Sequence, residues 1–230
     1  MRKIGLIGGM SWESTGEYYR LLNEGARERL GGLHSARLVV SSVDFAPIEK
    51  MQAAGDWEAA GEQLADEARL LEAAGAELIM IGTNTMHKVY DQVAQAVSCR
   101  VLHLGDVTAE AVRAAGLDRV GLLATRYTME QDFYRRRLAI GGVESLVPEE
   151  KQREDVQRII YDELCVGVVS AESHNRLIAI AQELVTQGAQ GIVLGCTELE
   201  LSVRITDLAV PVFPTTALHC AAALDAALAS

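Results

Sequence analysis

Short apolar runs alternate along the chain with longer stretches in which apolar residues return every three or four positions. Lys3–Gly8, Arg37–Val43, Leu78–Ile81 and Arg100–Leu104 read as buried strands. Between and after them, Thr15–Leu30 carries Tyr18, Leu21, Leu22 and Ala26 at helical spacing, and Trp57–Ala73 carries Ala60, Leu64, Ala68 and Leu71. Met86–Ala96 is expected to be helical as well. The alternation then starts again. Strands are expected at Arg119–Ala124, Val143–Val147, Gly191–Leu194 and Val210–Phe213. Helices are expected at Asp106–Ala115, Asp132–Leu138, Glu150–Leu164, Ala171–Gln187 and Ala217–Ala229. Strands that alternate with helices form parallel sheets covered on both faces, so the predicted class is α/β.

The two runs of elements are similar to one another. Lys3-Ile4-Gly5-Leu6-Ile7 matches Arg119-Val120-Gly121-Leu122-Leu123, and Tyr18 falls on Tyr134, both at an offset of 116 (120 − 4 and 134 − 18). Ala74-Gly75-Ala76-Glu77-Leu78-Ile79-Met80-Ile81-Gly82-Thr83-Asn84-Thr85 matches Gln187 to Glu198, with Thr83 on Cys196 at an offset of 113 (196 − 83). Any two βα units share a Gly-rich and Val/Ile-rich look, but three anchors at nearly one offset favour duplication. The expectation is two similar Rossmann-like lobes related by a pseudo-twofold, with the active site in the cleft between them. The first lobe spans residues 1–104 and is completed by residues 210–230; the second spans 105–209.

Composition narrows the function. The 230 residues are 49% hydrophobic and 23% charged, with a formal net charge of −11, and that balance disfavours nucleic acid as a partner. No apolar run reaches membrane-spanning length, and the first residues lack the core of a secretory signal. Cys99, Cys165, Cys196 and Cys220 show neither C-x-x-C spacing nor a tight Cys/His grouping, so no metal site is expected. A reducing cytoplasm would keep Cys196 a free thiol. The early glycines follow G-x-x-G-G rather than G-x-G-x-x-G, which argues against a dinucleotide. Gly8-Gly9-Met10-Ser11 suits a tight loop that a small ligand can approach.

Candidate chemistry sits where the duplicated strands end, the place where open α/β sheets build their sites. Cys196 follows one such strand and Thr83 the other, so one chain offers a thiol and a hydroxyl at matched positions. Two proton-handling groups acting on opposite faces of one carbon suit inversion. One removes the proton and the other returns it, while fixed donors hold the carboxylate of the carbanionic intermediate. Asn84, Thr85 and Thr197 are donors of the right kind. Backbone amides at a helix start would bind a carboxylate and lower the thiol pKa. Thr83 equally suits a helix cap. Glu198 suits either acceptance of the thiol proton or a helix start. His87, four residues after Thr83, reads as a packed or supporting histidine, and His34, His103, His174 and His219 carry no catalytic expectation. Thr125 and Thr128, in the matching loop of the second half, are expected ligand donors or helix caps.

Three ordered motifs carry a resemblance: Ile7-Gly8-Gly9-Met10-Ser11-Trp12-Glu13-Ser14-Thr15, Thr83-Asn84-Thr85-Met86-His87 and Gly195-Cys196-Thr197-Glu198. With them the chain resembles, over nearly its whole length, the aspartate/glutamate racemase superfamily and its aspartate-racemase branch. The resemblance implies cofactor-independent racemisation of an amino acid, in a homodimer. Cys196 and Thr83 would be catalytic, and Met10, Ser11, Gln52, Asn84, Thr85, Thr125, Thr128, Thr197 and Glu198 would bind substrate. Two departures matter. Such racemases carry Cys at both catalytic positions, whereas here the first is Thr83. Many also carry a Lys where this chain has Cys165, and Gln52, placed in a loop, is neutral. The implied substrate is therefore aspartate, glutamate or a broader set of small amino acids. The alternatives are a single-thiol decarboxylase or cis–trans isomerase of small dicarboxylates, and a non-catalytic amino-acid-binding protein.

Overall fold

A computed structural model describes residues 1–229 as two compact units, Met1–His103 with the chain from His219 onward, and Leu104–Leu218. The α/β class is as expected, and each unit is built on one four-stranded parallel sheet.

The first unit contains β1 (Ile4–Gly8), α1 (Trp12–Leu30), β2 (Leu38–Ser42), α2 (Phe45–Ala54), α3 (Trp57–Ala73) and β3 (Leu78–Ile81). A 3-10 turn (Thr85–Val89), α4 (Tyr90–Gln95) and β4 (Arg100–Leu102) follow. Strand order is β2-β1-β3-β4. The two central strands are apolar throughout because both faces are covered. Ile4, Leu6, Leu78 and Met80 point to the side of Tyr18, Leu22 and Ala26, while Ile7, Ile79 and Ile81 meet Leu64, Ala68 and Leu71 of α3. This alternation is the two-residue period of a strand read against two different helix layers.

The second unit contains α5 (Leu104–Ala114), β5 (Arg119–Ala124), α6 (Arg126–Glu130), α7 (Asp132–Ile140), β6 (Glu144–Leu146) and α8 (Glu150–Arg158). The chain continues through a π-helical turn (Ile159–Glu163), a 3-10 turn (Leu164–Val166), α9 (Ala171–Thr186), β7 (Ile192–Gly195), α10 (Leu199–Ser202) and β8 (Val212–Pro214). Strand order is β6-β5-β7-β8, the same as in the first unit. Gly5 on β1 and Gly121 on β5 occupy equivalent places. A Cβ at Gly5 would lie 3.2 Å from Leu71 Cβ, and one at Gly121 would lie 3.0 Å from Leu184 Cβ. Each glycine lets a helix lie directly on the strand.

Each sheet is completed by a helix from the other half of the sequence. α5 follows β4, yet Leu104, Ala109 and Val112 pack in the core of the second unit. α11 (Thr215–Leu228) follows β8, yet Cys220, Ala223, Leu224 and Ala227 pack with Tyr18 and Leu22 of the first unit. The division after His103 and at His219 follows these two helices.

Three local expectations are corrected. Gln52 lies on α2 rather than in a loop. This helix is started by the Asp44 side chain, which accepts from Ala46 N, and stopped by left-handed Gly55. The stretch expected as one helix over Met86–Ala96 begins as a 3-10 turn. Glu150–Leu164 changes from α to π geometry at Ile159.

Candidate functional site

Except for Gln52, on the helix after edge strand β2, the expected site residues follow the carboxyl ends of the two central strands of each sheet. Ile7 of β1 pairs with Ile81 of β3, so the Met10–Ser11 loop and the Thr83 turn leave the first sheet side by side. Ala124 pairs with Gly195, so Thr125 and Cys196 leave the second sheet in the same way.

In the first unit Gly9 adopts φ +90°, and Val43 N donates to Gly8 O at 3.0 Å. The tight approach expected here is made by the protein's own backbone: a Cβ on Gly9 would sit 2.1 Å from Val43 O. Ser11 caps α1 by accepting from Ser14 N at 3.3 Å, and the two hydroxyl oxygens lie 3.2 Å apart. Met10 joins the apolar cluster that contains Ile48 and Met86. Gln52 is buried; its amide Nε2 donates to Met86 Sδ at 3.0 Å, and its Oε1 has no protein partner. Met10 and Ser11 thus follow β1 and Asn84 and Thr85 follow its neighbour β3, while Gln52 reaches Met86 from α2.

Thr83 is half-buried on the turn itself. Gly82 N donates to Ile7 O at 2.8 Å and pins that turn to β1, and Thr83 N donates to Ile81 O at 2.9 Å. The helix-cap reading of Thr83 is corrected, because Asn84 occupies the N-cap position of the 3-10 turn. The Thr83 carbonyl accepts instead from the His87 side chain, Nδ1 to O, at 2.8 Å.

In the second unit Thr125 Oγ1 and Thr128 Oγ1 lie 3.2 Å apart, both buried, repeating the Ser11–Ser14 pair at an offset of 114 (125 − 11 and 128 − 14). Thr125 is the N-cap residue of α6, not of the helix that carries Tyr134. Cys196 is 7% exposed. Its Sγ–H donates to Glu198 Oε2 at 2.9 Å, and Thr197 Oγ1 donates to the same oxygen at 2.7 Å.

That geometry overturns one expectation. Burial, and then the charge and hydrogen bond of Glu198, push the Cys196 thiol well above its ordinary pKa. The amides that were to lower it begin only the four-residue α10, too short to oppose a buried carboxylate. The resting state is a thiol beside a proton acceptor, the arrangement that activates a nucleophile or base on demand. Cys165 is half-buried and packs on the cluster that includes Cys196, adding to the rise.

His87, read as a packed or supporting histidine, is buried, and it is joined by two buried histidines that carried no expectation. His87, His103 and His219 converge in the first unit, with ring centroids 4.9 Å apart for His87–His103 and 5.8 Å for His87–His219. His219 Nδ1 also lies 3.1 Å from Tyr18 Oη. The available signal was positional. His219 is the fifth residue of α11, as Thr108 is of α5, and Thr108 Oγ1 lies 2.9 Å from Tyr134 Oη. Among the described residues, no group of three or more His, Cys, Asp or Glu is placed to hold a metal ion, and no helix is long and apolar enough to cross a membrane.

Known proteins share this framework. A crystal structure from Yersinia pestis, assigned provisionally as an Asp/Glu racemase, is 50% identical over the whole of both chains with a TM-score of 0.93. An aspartate racemase homologue from Pyrococcus horikoshii OT3 is 34% identical over 99% of both chains, with a TM-score of 0.87. Unliganded arylmalonate decarboxylase shares the fold alone, at 14% identity and a TM-score of 0.54, over 100% of this chain and 94% of its own. The profile described as Asp/Glu/Hydantoin racemase matches residues 7–223, and the chain belongs to that family of two-lobed racemases.

Proposed function

We propose that the protein is a cofactor-independent racemase of small amino acids, with aspartate and glutamate as the first substrates to test. The hydrogen bond from Cys196 Sγ to Glu198 Oε2 carries this reading, because it couples a thiol to its own proton acceptor at a duplicated strand end. Glu198 takes the thiol proton, and the thiolate takes the hydrogen from Cα. Thr83 then gives its hydroxyl proton to the other face of the carbanion and is refilled from water in the same motion. The hydroxide so formed is neutralised by the Glu198 carboxyl, which restores thiol and carboxylate. Asn84, Thr85 and Thr197 hold the substrate carboxylate, with Ser11, Thr125 and Thr128 as further donors and Met10 and Gln52 shaping the pocket. The working form is a homodimer in a reducing cytoplasm, and the chemistry needs no added cofactor.

The test is a chiral chromatographic screen of the common L-amino acids in deuterated water. Racemisation puts deuterium at Cα and leaves composition unchanged. The second reading, decarboxylation by a lone thiol, is favoured by the presence of sulfur at only one of the duplicated positions. It predicts loss of carbon dioxide from a small dicarboxylate and no inversion of any amino acid. Saturable binding without Cα exchange would identify an amino-acid-binding protein instead.

A further inference from the structure

Behind each of the two strand-end turns lies a network centred on a fully buried tyrosine, and the two networks differ in chemistry. In the first unit Tyr18 meets His219, His219 meets His87 edge-on, and His87 reaches Thr83. In the second, Tyr134 meets Thr108. The position matching His87 is Glu200, at the same offset of 113 (200 − 87), and its carboxylate accepts from Thr216 N at 2.8 Å. At matching positions the chain therefore carries an imidazole that holds the hydroxyl-bearing turn and a carboxylate that holds the start of α11.

A carbonyl oxygen can only accept, so the 2.8 Å contact with Thr83 O puts a His87 ring proton on Nδ1. The imidazole is enclosed. His87 is 2% exposed, Tyr90 stacks parallel to it with centroids 6.4 Å apart, and burial, with His87 beside it, pushes His219 down to about 3. The backbone of His87 has a separate task, since its N–H donates to Asn84 O at 3.1 Å. Main chain and side chain of one residue thus secure two consecutive carbonyls of the turn. Thr is β-branched and has few side-chain rotamers, so fixing its backbone fixes the direction of its hydroxyl.

We propose that His87 is a positioning residue for Thr83: its Nδ1–H holds the Thr83 carbonyl and thereby aims the hydroxyl, while His219 and Tyr18 hold the imidazole. This rests on the reading of Thr83 as a proton donor. The protein itself supplies a model for a conservative replacement. Asn23 Nδ2 donates to Tyr19 O at 2.7 Å, the same four-residue reach that His87→Asn would need.

The experiment compares the full-length native protein with His87→Leu and His87→Asn, on each enantiomer of aspartate and glutamate in deuterated water. Inversion needs both catalytic positions, whereas exchange with retention, for the enantiomer whose proton Cys196 takes, needs only one. His87→Leu should cut inversion about a hundredfold, the scale of a misplaced catalytic group, while retention exchange persists. His87→Asn should recover most of the inversion. Nitrogen-15 spectra of the native protein should show His87 protonated at Nδ1. The opposite tautomer overturns the inference without recourse to any variant. So does a folded His87→Leu protein in which inversion is unchanged, or in which inversion and retention exchange fall together. A native protein that inverts neither amino acid refutes the racemase reading on these substrates and the inference with it; failure in the variants alone leaves that reading standing.

Discussion

Cys196 and Glu198 share a hydrogen bond of 2.9 Å in which sulfur is the donor and the carboxylate the acceptor. The pair stores the proton on the thiol and raises its pKa, first through burial and then through the Glu198 charge. Glu198→Gln removes that charge but not the burial. The thiol titration, followed by thiolate absorbance, should move down yet remain above the ordinary cysteine range. Turnover should nevertheless fall by about 100- to 10,000-fold, because the acceptor for the thiol proton is gone. A thiol pKa that rises in this variant would contradict the assigned direction.

Cys196→Ala should abolish inversion of both enantiomers while leaving the fold intact, since Cys196 occupies a turn rather than the interior of a strand. Circular dichroism and chiral chromatography on the same preparation check both halves of this expectation. Residual inversion near the native rate would remove sulfur from the mechanism.

Thr83 and Cys196 are unequal groups, but they cannot favour one product at equilibrium. Free enantiomers have the same free energy in water, so kcat/KM measured from L and from D must agree. Progress curves from each enantiomer in a closed assay should end at equal amounts of the two. A reproducible inequality in kcat/KM would be incompatible with simple racemisation.

His219 gives the first unit an acid sensitivity. Its folded pKa is pushed down to about 3 while the unfolded value stays at the ordinary 6.5. Between those values the unfolded chain binds the extra proton. The contribution of neutral His219 is therefore intact above pH 6.5 and is lost progressively as pH falls toward 3. The loss between pH 7 and pH 5 is about 2 kcal/mol from this residue alone. Urea melts of the native protein and His219→Gln at the two pH values should show a smaller acid loss in the variant.

Gly9→Ala should be severely destabilising. The added Cβ would meet the Val43 backbone at 2.1 Å, in a φ of +90° that L side chains rarely adopt. A cost above about 3 kcal/mol, or failure to fold, is expected in thermal melts. Gly61→Ala offers a contrast. Its nearest neighbour is the far end of the Gln92 side chain, which can swing away, so a much smaller change is expected.

The elements with two buried faces were the ones most legible in the sequence. β1, β3, β5 and β7 are near-continuous apolar runs, and the duplication followed from Gly5, Gly121, Tyr18 and Tyr134. The Ser11–Ser14 and Thr125–Thr128 pairs sit where that duplication put their loops. α2 was missed because its first turn holds Pro47, a residue that ends helices elsewhere but is tolerated there. The thiol pKa was misjudged because a helix start was inferred from position, whereas the local charge of Glu198 and burial decide it. The histidine cluster was invisible for a different reason. His87, His103 and His219 lie far apart along the chain, and only the packing of α11 beside α1 brings His219 to Tyr18.

The reciprocal placement of α5 and α11 has a consequence for biosynthesis. A ribosome delivers β1 to β4 well before it delivers Cys220, Ala223 and Leu224, which cover one face of that sheet. The lobe encoded first must wait, with Leu6, Met80 and Tyr18 only partly covered, until α11 has followed the strands of the second. The lobe encoded second already has its own helix in hand when its strands emerge.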